Sequence, residues 1–372
     1  MNSNTVPLVD LGVAHRRIAA QVEAGFASVL ERTAFVLGPE VSSFESAFAA
    51  YCGVPHCIGV GNGTDALELA LRSCGIGAGD EVIVPANTFV ATAEAVVRAG
   101  ATVVLADVTE DYLLDPTSVA ERLTDRTAAV MAVHLYGQMA PMEALASVVG
   151  PGVVLIEDAA QSQGAAQNGR RAGSVGLVAG TSFYPGKNLG AYGDAGAVLT
   201  QSDAVAARLR SMRNHGGERR YEHREFGFNS RLDTLQAVVL LAKLEVLDDW
   251  NAERRAASDL YGQLLADVDG LTLPEVAEGN DHVWHLYVIR VEDRDELLAD
   301  LNSAGVGAGI HYPVPVHLLP SFTHLGHNPG DFPKAEALAS RILSLPIFPG
   351  ITTQQQEHVA EVVRTHAAVR RS

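Results

Sequence analysis

The stretch Thr181-Ser-Phe-Tyr-Pro-Gly-Lys187-Asn-Leu-Gly-Ala-Tyr-Gly-Asp-Ala-Gly196-Ala-Val198 joins two short apolar segments through a turn that carries one lysine. Thr181–Phe183 reads as a strand end, and Gly196–Thr200 as the next strand. Between them Lys187 stands among glycines and apolar side chains. In a dry setting a lysine can lose its charge and act as a nucleophile. A single loop lysine is by default solvated, so Lys187 acquires chemical meaning only from its surroundings.

Two other expected strand ends supply such surroundings. Val153-Val-Leu-Ile-Glu157-Asp158-Ala-Ala-Gln161 is an apolar run that stops at carboxylates. Asp158 in that place suits a protonated ring nitrogen, and it equally suits a helix cap. Gly59-Val-Gly-Asn-Gly63-Thr64-Asp-Ala-Leu67 takes a strand through a glycine-rich turn into a helix. Free N–H groups at such a helix start bind phosphate, helped by the dipole, and the Thr64 hydroxyl adds a donor. A plain strand-to-helix turn explains the same residues. The segment is neither Gly-x-Gly-x-x-Gly nor a P-loop, because no lysine follows. Each feature alone leaves the choice open. Together, in this chain order, they amount to a phosphate cradle, a pyridinium partner and a Schiff-base lysine, the parts a pyridoxal-phosphate (PLP) enzyme requires.

Outward from these turns the chain alternates strands with helices. Strands are expected at His56–Val60, Glu81–Val84, Thr102–Asp107, Ala129–His134 and Val153–Glu157, besides the two already named. Helices are expected at Thr64–Cys74, Thr88–Arg98, Met142–Val149 and Ala204–Met212. The alternation indicates an α/β fold with a mostly parallel sheet covered on both faces. From Arg231, Leu232, Leu235, Val239, Ala242, Val246 and Trp250 recur on one helical face, with Asn229 or Ser230 placed to cap it and a break possible before Leu264. Beyond Gly270 the texture changes. Trp284–Val291 reads as a strand, Asp295–Ala304 as a helix, His311–Pro320 as a Pro-rich loop, and Thr353-Gln-Gln-Gln356 as a capping box opening a last helix. We place a division near residue 250, between a large domain over 1–250 and a small C-terminal α+β domain over 251–372.

The bulk numbers agree with a globular enzyme. The chain has 372 residues, 47% hydrophobic and 19% charged, enough for a sizeable core. No apolar run approaches the ~20 residues that span a bilayer, and the N-terminus lacks a signal-peptide pattern, so a soluble, cytoplasmic protein without membrane partners is expected. A net charge of −17 argues against nucleic acid as a partner. Cys52, Cys57 and Cys74 are odd in number and form no Cys-x-x-Cys, which favours buried thiols over disulfides.

These motifs together resemble the DegT/StrS family of PLP-dependent sugar aminotransferases over nearly the whole chain. The resemblance is carried by Gly61-Asn-Gly-Thr-Asp-Ala-Leu67, Gly77-Ala-Gly-Asp-Glu-Val-Ile-Val-Pro-Ala-Asn-Thr-Phe-Val-Ala-Thr92, Val133-His-Leu-Tyr-Gly-Gln138, Glu157-Asp-Ala-Ala-Gln161, the Lys187 segment and Asn229-Ser-Arg-Leu-Asp233. It implies the aspartate-aminotransferase-like fold (PLP fold type I), with a seven-stranded, mostly parallel sheet. It implies that Lys187 holds the cofactor covalently and that Asp158 keeps the ring nitrogen protonated. Gln161 would bond the phenolate oxygen, Gly63, Thr64 and Ser182 the phosphate, and Phe89 would stack on the ring. Asn229 would reach the phosphate of a neighbouring subunit, which makes a homodimer with shared active sites.

Residues 185–196 and His311-Tyr-Pro-Val-Pro-Val-His-Leu-Leu-Pro320 look like the members that aminate carbon 3 of nucleotide-linked keto sugars, where Tyr184, His311 and Tyr312 would contact the hexose. The implied reaction moves an amino group from L-glutamate to carbon 3 of a dTDP-linked keto-deoxyhexose, in amino-sugar biosynthesis of the antibiotic type. Met139 departs from the family, in which proline is frequent there.

A basic run, Arg208 to Arg231, suits a nucleotide diphosphate, with Arg220 and Arg231 the best candidates; a solvated loop is the alternative. His282/His285 and His324/His327 have metal-like spacing, but neither pair lies on a clear helix with an acidic third ligand, so no metal is expected. Rival readings are a carbon-4 or aminocyclitol- or aminohydroxybenzoate-forming relative, a nicotinamide dehydrogenase, and a non-catalytic binding protein. The glycine spacing disfavours the dehydrogenase, and the joint presence of Lys187, Asp158 and Ser182 disfavours the binding protein.

Overall fold

The computed structural model describes residues 5–219 and 221–369. Its elements in order are α1 (Leu11–Arg32), α2 (Pro39–Cys52), β1 (His56–Val60), α3 (Gly63–Ser73), β2 (Glu81–Pro85), α4 (Val90–Ala99), β3 (Thr102–Ala106), α5 (Pro116–Arg122), β4 (Thr127–Val133), α6 (Met142–Val148), β5 (Val154–Asp158), β6 (Val178–Ser182), β7 (Gly196–Thr200), α7 (Asp203–Met212), α8 (Thr234–Leu244), α9 (Leu247–Leu265), β8 (Tyr287–Arg290), α10 (Arg294–Ser303), α11 (Pro333–Arg341), β9 (Ile342–Leu345) and α12 (Thr353–Val369), with short turns and two-residue ladders between.

Seven strands form one sheet in the order β1-β7-β6-β5-β4-β2-β3. Strand β7 runs antiparallel to both neighbours, and every other pairing is parallel. Strands β1, β2, β4, β5 and β6 therefore all end at one edge, which gathers Val60, Pro85, Val133, Asp158 and Ser182. Ligands of parallel sheets bind at that edge. Both faces are covered by apolar clusters, as near-continuous apolar strands require. One close approach matters for the site. A Cβ on Gly180 would lie 2.6 Å from Leu67 Cδ2 and 3.1 Å from Leu67 N, so glycine lets α3 lie directly on β6. That contact sets the start of α3 beside Ser182.

The strand expectations hold to within a few residues, and several details are corrected. The helix expected from Thr88 begins at Val90. The long helix is two, α8 and α9, and neither Asn229 nor Ser230 caps it. The residue before α8 is Asp233, which makes no side-chain cap, and Asn229 pairs by backbone with Asn214. Ser230 Oγ is used elsewhere, donating to Asp65 Oδ2 at 2.7 Å. The capping box lies one residue earlier than expected: Gln355 N donates to Thr352 Oγ1 at 3.2 Å, and Thr352 N to Gln355 Oε1 at 2.9 Å. Helices α1 and α2 lie outside the sequence-based expectations.

Residue 250 falls inside α9. The far half of that helix packs Ala257, Tyr261 and Leu265 against Tyr287, Leu297, Leu301 and Val359 around the β8–β9 pair. Val6 joins the same cluster through backbone bonds with Gly305 and Gly307. Met139, where the family often has proline, donates its N–H to Asn280 Oδ1 at 2.8 Å, a bond proline cannot make. Among the described residues no helix is long and apolar enough to cross a membrane.

Candidate active site

A cavity of about 630 Å³ opens at the carboxyl edge of the sheet. Gly63, Thr64, Phe89, Asp158, Gln161, Ser182, Tyr184, Lys187, His311 and Tyr312 all line it. Residues more than 240 positions apart are thus brought together because five strand ends and the His311–Tyr312 turn converge there.

The helix start forms one wall. Asn62 caps α3 by accepting from Asp65 N at 2.8 Å, which leaves the Gly63 and Thr64 N–H groups without an acceptor among the described residues. A Cβ on Gly63 would sit 2.5 Å from Ser182 Cβ, so glycine keeps a gap between these amides and Ser182 Oγ. Open amides, a hydroxyl and a helix dipole in one gap fit a phosphate group.

Asp158 ends β5 and is 4% exposed. Its Oδ2 accepts from Thr92 Oγ1 at 2.8 Å and its Oδ1 from Ala160 N at 3.1 Å. Burial pushes this carboxyl up, against those bonds and the Lys187 ammonium. A buried carboxylate with one cation in reach fits a ring nitrogen that needs to stay protonated. Its neighbour Glu157 points to the opposite face of the sheet. There it accepts from His134 Nε2 at 2.8 Å and from the N–H groups of Gly173, Val175 and Gly176. Burial raises the Glu157 carboxyl, but these donors prevail and hold it below its ordinary value.

Burial takes the Lys187 ammonium down from 10.5 to about 8, with Asp158 opposing. The turn that presents it is anchored on both sides. Asn188 Nδ2 donates to Asn251 Oδ1 at 2.8 Å and to Val283 O at 2.9 Å, and Lys243 Nζ donates to Gly190 O at 2.6 Å. Gln161 Oε1 accepts from Tyr136 N at 2.6 Å, and its Nε2 donates to Tyr312 OH at 3.3 Å. His311 Nδ1 contacts Ser344 Oγ at 2.9 Å. Burial, then Lys187, lowers His311 and, more strongly, His285, so both imidazoles are neutral. Phe89 and Tyr312 lie 5.2 Å apart by ring centroid, tilted by 37°.

Other expected residues lie elsewhere. Asn229 is exposed and does not line the cavity of its own chain. Arg231 is also off the cavity, with Nη1 on Asn214 Oδ1 at 2.9 Å. Arg220 falls outside the described residues. Of the same basic run, Arg213 is spent inside the fold on Glu45 and on Gly59 O. His282 stacks on Trp284, and His285 contacts Asn188 Oδ1 at 3.1 Å. Among the described residues no group of three His, Cys, Asp or Glu is placed to hold a metal.

Sequence reasoning missed Thr92, His285, Glu94, Arg98, Asp194 and the Leu8–Val9 segment, all on the cavity wall. Thr88 and Thr92 do carry a signal. They are four apart on one face just after a strand, and their hydroxyls are 2.8 Å from each other.

A lysine of lowered basicity facing a buried aspartate, beside an anion-binding helix start on a doubly covered parallel sheet, defines a PLP enzyme of fold type I. Residues 16–364 match the DegT/DnrJ/EryC1/StrS aminotransferase family. The chain belongs to that family and is a PLP-dependent aminotransferase. It is 47% identical over 364 residues to erythromycin biosynthesis sensory transduction protein EryC1 of Saccharopolyspora erythraea, covering 97% of this chain and 100% of that one. It is 46% identical over 364 residues to the dTDP-3-amino-3,4,6-trideoxy-alpha-D-glucose transaminase of Streptomyces venezuelae, covering 97% and 96%. The crystal structure of S. venezuelae DesV in complex with a ketimine intermediate superposes with a TM-score of 0.96 at 46% identity, covering 98% of this chain and 99% of that one.

Proposed function

We propose that this enzyme moves an amino group from L-glutamate to carbon 3 of a dTDP-linked keto-deoxyhexose, as a cytoplasmic homodimer. The observation that carries the reading is the His311–Tyr312 turn, which is bonded through Tyr312 OH to Gln161 and lines the same cavity as Lys187. The S. venezuelae transaminase named above, 46% identical, supports the choice of carbon 3.

Lys187 would hold the cofactor, Gly63, Thr64 and Ser182 its phosphate, Asp158 its ring nitrogen, Gln161 its phenolate oxygen, and Phe89 its ring face. When bound, PLP supplies an aldehyde that takes up an amino group and a ring that accepts electron density. Lys187 Nζ takes the proton from the donor's alpha carbon and returns one to carbon 3 of the sugar. A group near about 8 suits both directions, because its charged and neutral forms are both populated at working pH. Asp158, held by Thr92 and Ala160, would set a negative charge against the cofactor's ring nitrogen and keep it protonated. Tyr184, His311 and Tyr312 contact the hexose, and the neutral imidazole of His311 takes or gives a hydrogen bond without adding charge. Arg220 and Arg231 are kept for the nucleotide diphosphate. Asn229 serves the phosphate of the neighbouring subunit, in keeping with its exposed place away from its own cavity.

The test is purified holoenzyme with glutamate and the 3-keto and 4-keto isomers of a dTDP-6-deoxyhexose, assayed side by side by mass spectrometry. Amination of the 3-keto isomer alone is expected, with two chains by sedimentation. Turnover of only the 4-keto isomer, or of neither, refutes the assignment.

A further inference from the structure

Tyr136 belongs to none of the roles above, yet it ties the cavity's two walls together. It sits in the short turn Leu135–Gly137 at the end of β4, is 3% exposed, and has φ +60. That left-handed conformation is costly for a side-chain-bearing residue and persists only where surroundings over-determine it. Here three polar groups of one residue reach three distant segments. The backbone N–H donates to Gln161 Oε1 at 2.6 Å. The carbonyl accepts from Leu286 N at 3.2 Å. The phenol donates to the carbonyl of His311. From there the path closes: His311 leads to Tyr312, Tyr312 OH meets Gln161 Nε2 at 3.3 Å, and Gln161 returns to Tyr136. The ring is braced edge-to-face by Tyr112, 5.0 Å away.

We infer that Tyr136 is a positioning residue that holds the His311–Tyr312 turn at a fixed distance from Gln161, and so governs acceptance of the keto sugar while leaving the amino-acid half of the reaction alone; this rests on the sugar-contact reading of His311 and Tyr312. The selectivity follows from which atom makes which bond. Gln161 is held by the backbone N–H of residue 136, which any substitution except proline retains. The sugar-side turn is held by the hydroxyl, which phenylalanine lacks. Burial pushes the Tyr136 phenol up, so it remains an O–H donor throughout the working range. Without that hydroxyl the His311 carbonyl is left without its donor, and the turn is free to shift.

The experiment compares the two half-reactions of Tyr136→Phe holoenzyme by rapid mixing, first with glutamate and then with the keto sugar. The expected result is a glutamate half-reaction within about twofold of wild type and an apparent KM for the sugar raised about tenfold. The bound-cofactor absorbance should be unchanged, and hydrogen–deuterium exchange over residues 310–314 of the holoenzyme should be faster. Equal losses in both half-reactions, or no change in either, overturn the proposal. Tyr112→Leu is the second arm. It withdraws the ring brace without removing any of the three Tyr136 bonds, and should give a smaller split of the same kind. Equal losses there overturn the proposal even where Tyr136→Phe fails to hold cofactor. His311→Ala and Tyr312→Phe separate the two failures. If neither impairs the sugar half-reaction, the sugar-contact reading falls and the proposal with it. If they impair it and Tyr136→Phe does not, only the proposal falls.

Discussion

Lys187→Met is expected to stabilise the cofactor-free protein at neutral pH and to lose that advantage in alkali. Burial takes the Lys187 ammonium from 10.5 down to about 8, with Asp158 pulling partly the other way. At about 1.4 kcal/mol per tenfold, folding with this lysine charged costs about 3 kcal/mol at neutral pH, and the attraction of Asp158 is already inside that figure. The unfolded chain keeps the proton up to 10.5, and the folded chain only up to about 8. Between those values the unfolded state binds more protons, so wild-type stability rises with pH across the window. Methionine has no proton to lose. The gap between variant and wild type is therefore widest below about 8 and closes near 10.5. Lys243 is lowered by burial to about 8 as well, but it is present in both proteins and cancels. Urea unfolding of both cofactor-free proteins, from about pH 6.5 to about pH 10.5, measures the difference. A gap that stays constant over that range, or a variant less stable than wild type at neutral pH, refutes a charged Lys187 buried at a cost.

Thr92→Val removes the hydroxyl that donates to Asp158 Oδ2 at 2.8 Å. A bond to a buried charged group is worth about 1.5–3 kcal/mol, so turnover should fall roughly 10- to 100-fold in both half-reactions, and full activity would contradict the role given to Asp158. Gly63→Ala puts a Cβ 2.5 Å from Ser182 Cβ and 3.1 Å from Ser182 Cα, where relief requires backbone movement. Overpacking of about 1–3 kcal/mol should weaken cofactor affinity at least fivefold in an absorbance titration of apo-protein, and unchanged affinity would remove Gly63 from the cradle.

The sheet was legible because its strands are short apolar runs bounded by turn residues, and their ends fall within a few residues of expectation. Strand β6 begins at Val178, three residues before the expected start, because Ala179 and Gly180 add little apolar signal. Helices α1 and α2 escaped notice for a different reason. The buried positions of α1 are Ala14, Ile18, Val22 and Val29, a thin stripe on a helix whose other residues are half-buried or exposed. At the site, Lys187, Asp158 and Gly63 were legible because each follows a strand, the first two with a charged side chain and the third at a glycine-rich helix start. Thr92 and Tyr136 were not, because they act through another residue: one donates to Asp158, the other to His311. His285 was hidden inside a strand expected from Trp284, whereas β8 starts at Tyr287 and leaves His285 free to turn toward the cavity.

Charge gives the sharpest separation between what a sequence motif suggests and what the fold permits. The run from Arg208 to Arg231 reads as a ready anion site in a chain of net charge −17. In the fold three of its described arginines have separate employments. Arg213 holds Glu45 and Gly59 O, Arg231 holds Asn214, and Arg208 lies against Glu225 and the carbonyl of Ser73. Among the described residues lining the cavity, the lysine and arginine cations are Lys187 and Arg98, and Arg98 is paired with Asp65 and Glu68. Glu94 and Asp194, which also line it, add negative charge. A diphosphate in this cavity meets no unpaired arginine among its described lining residues. The phosphate charge of a nucleotide is stabilised by bidentate cations, and the one described arginine lining this cavity is already held by two carboxylates.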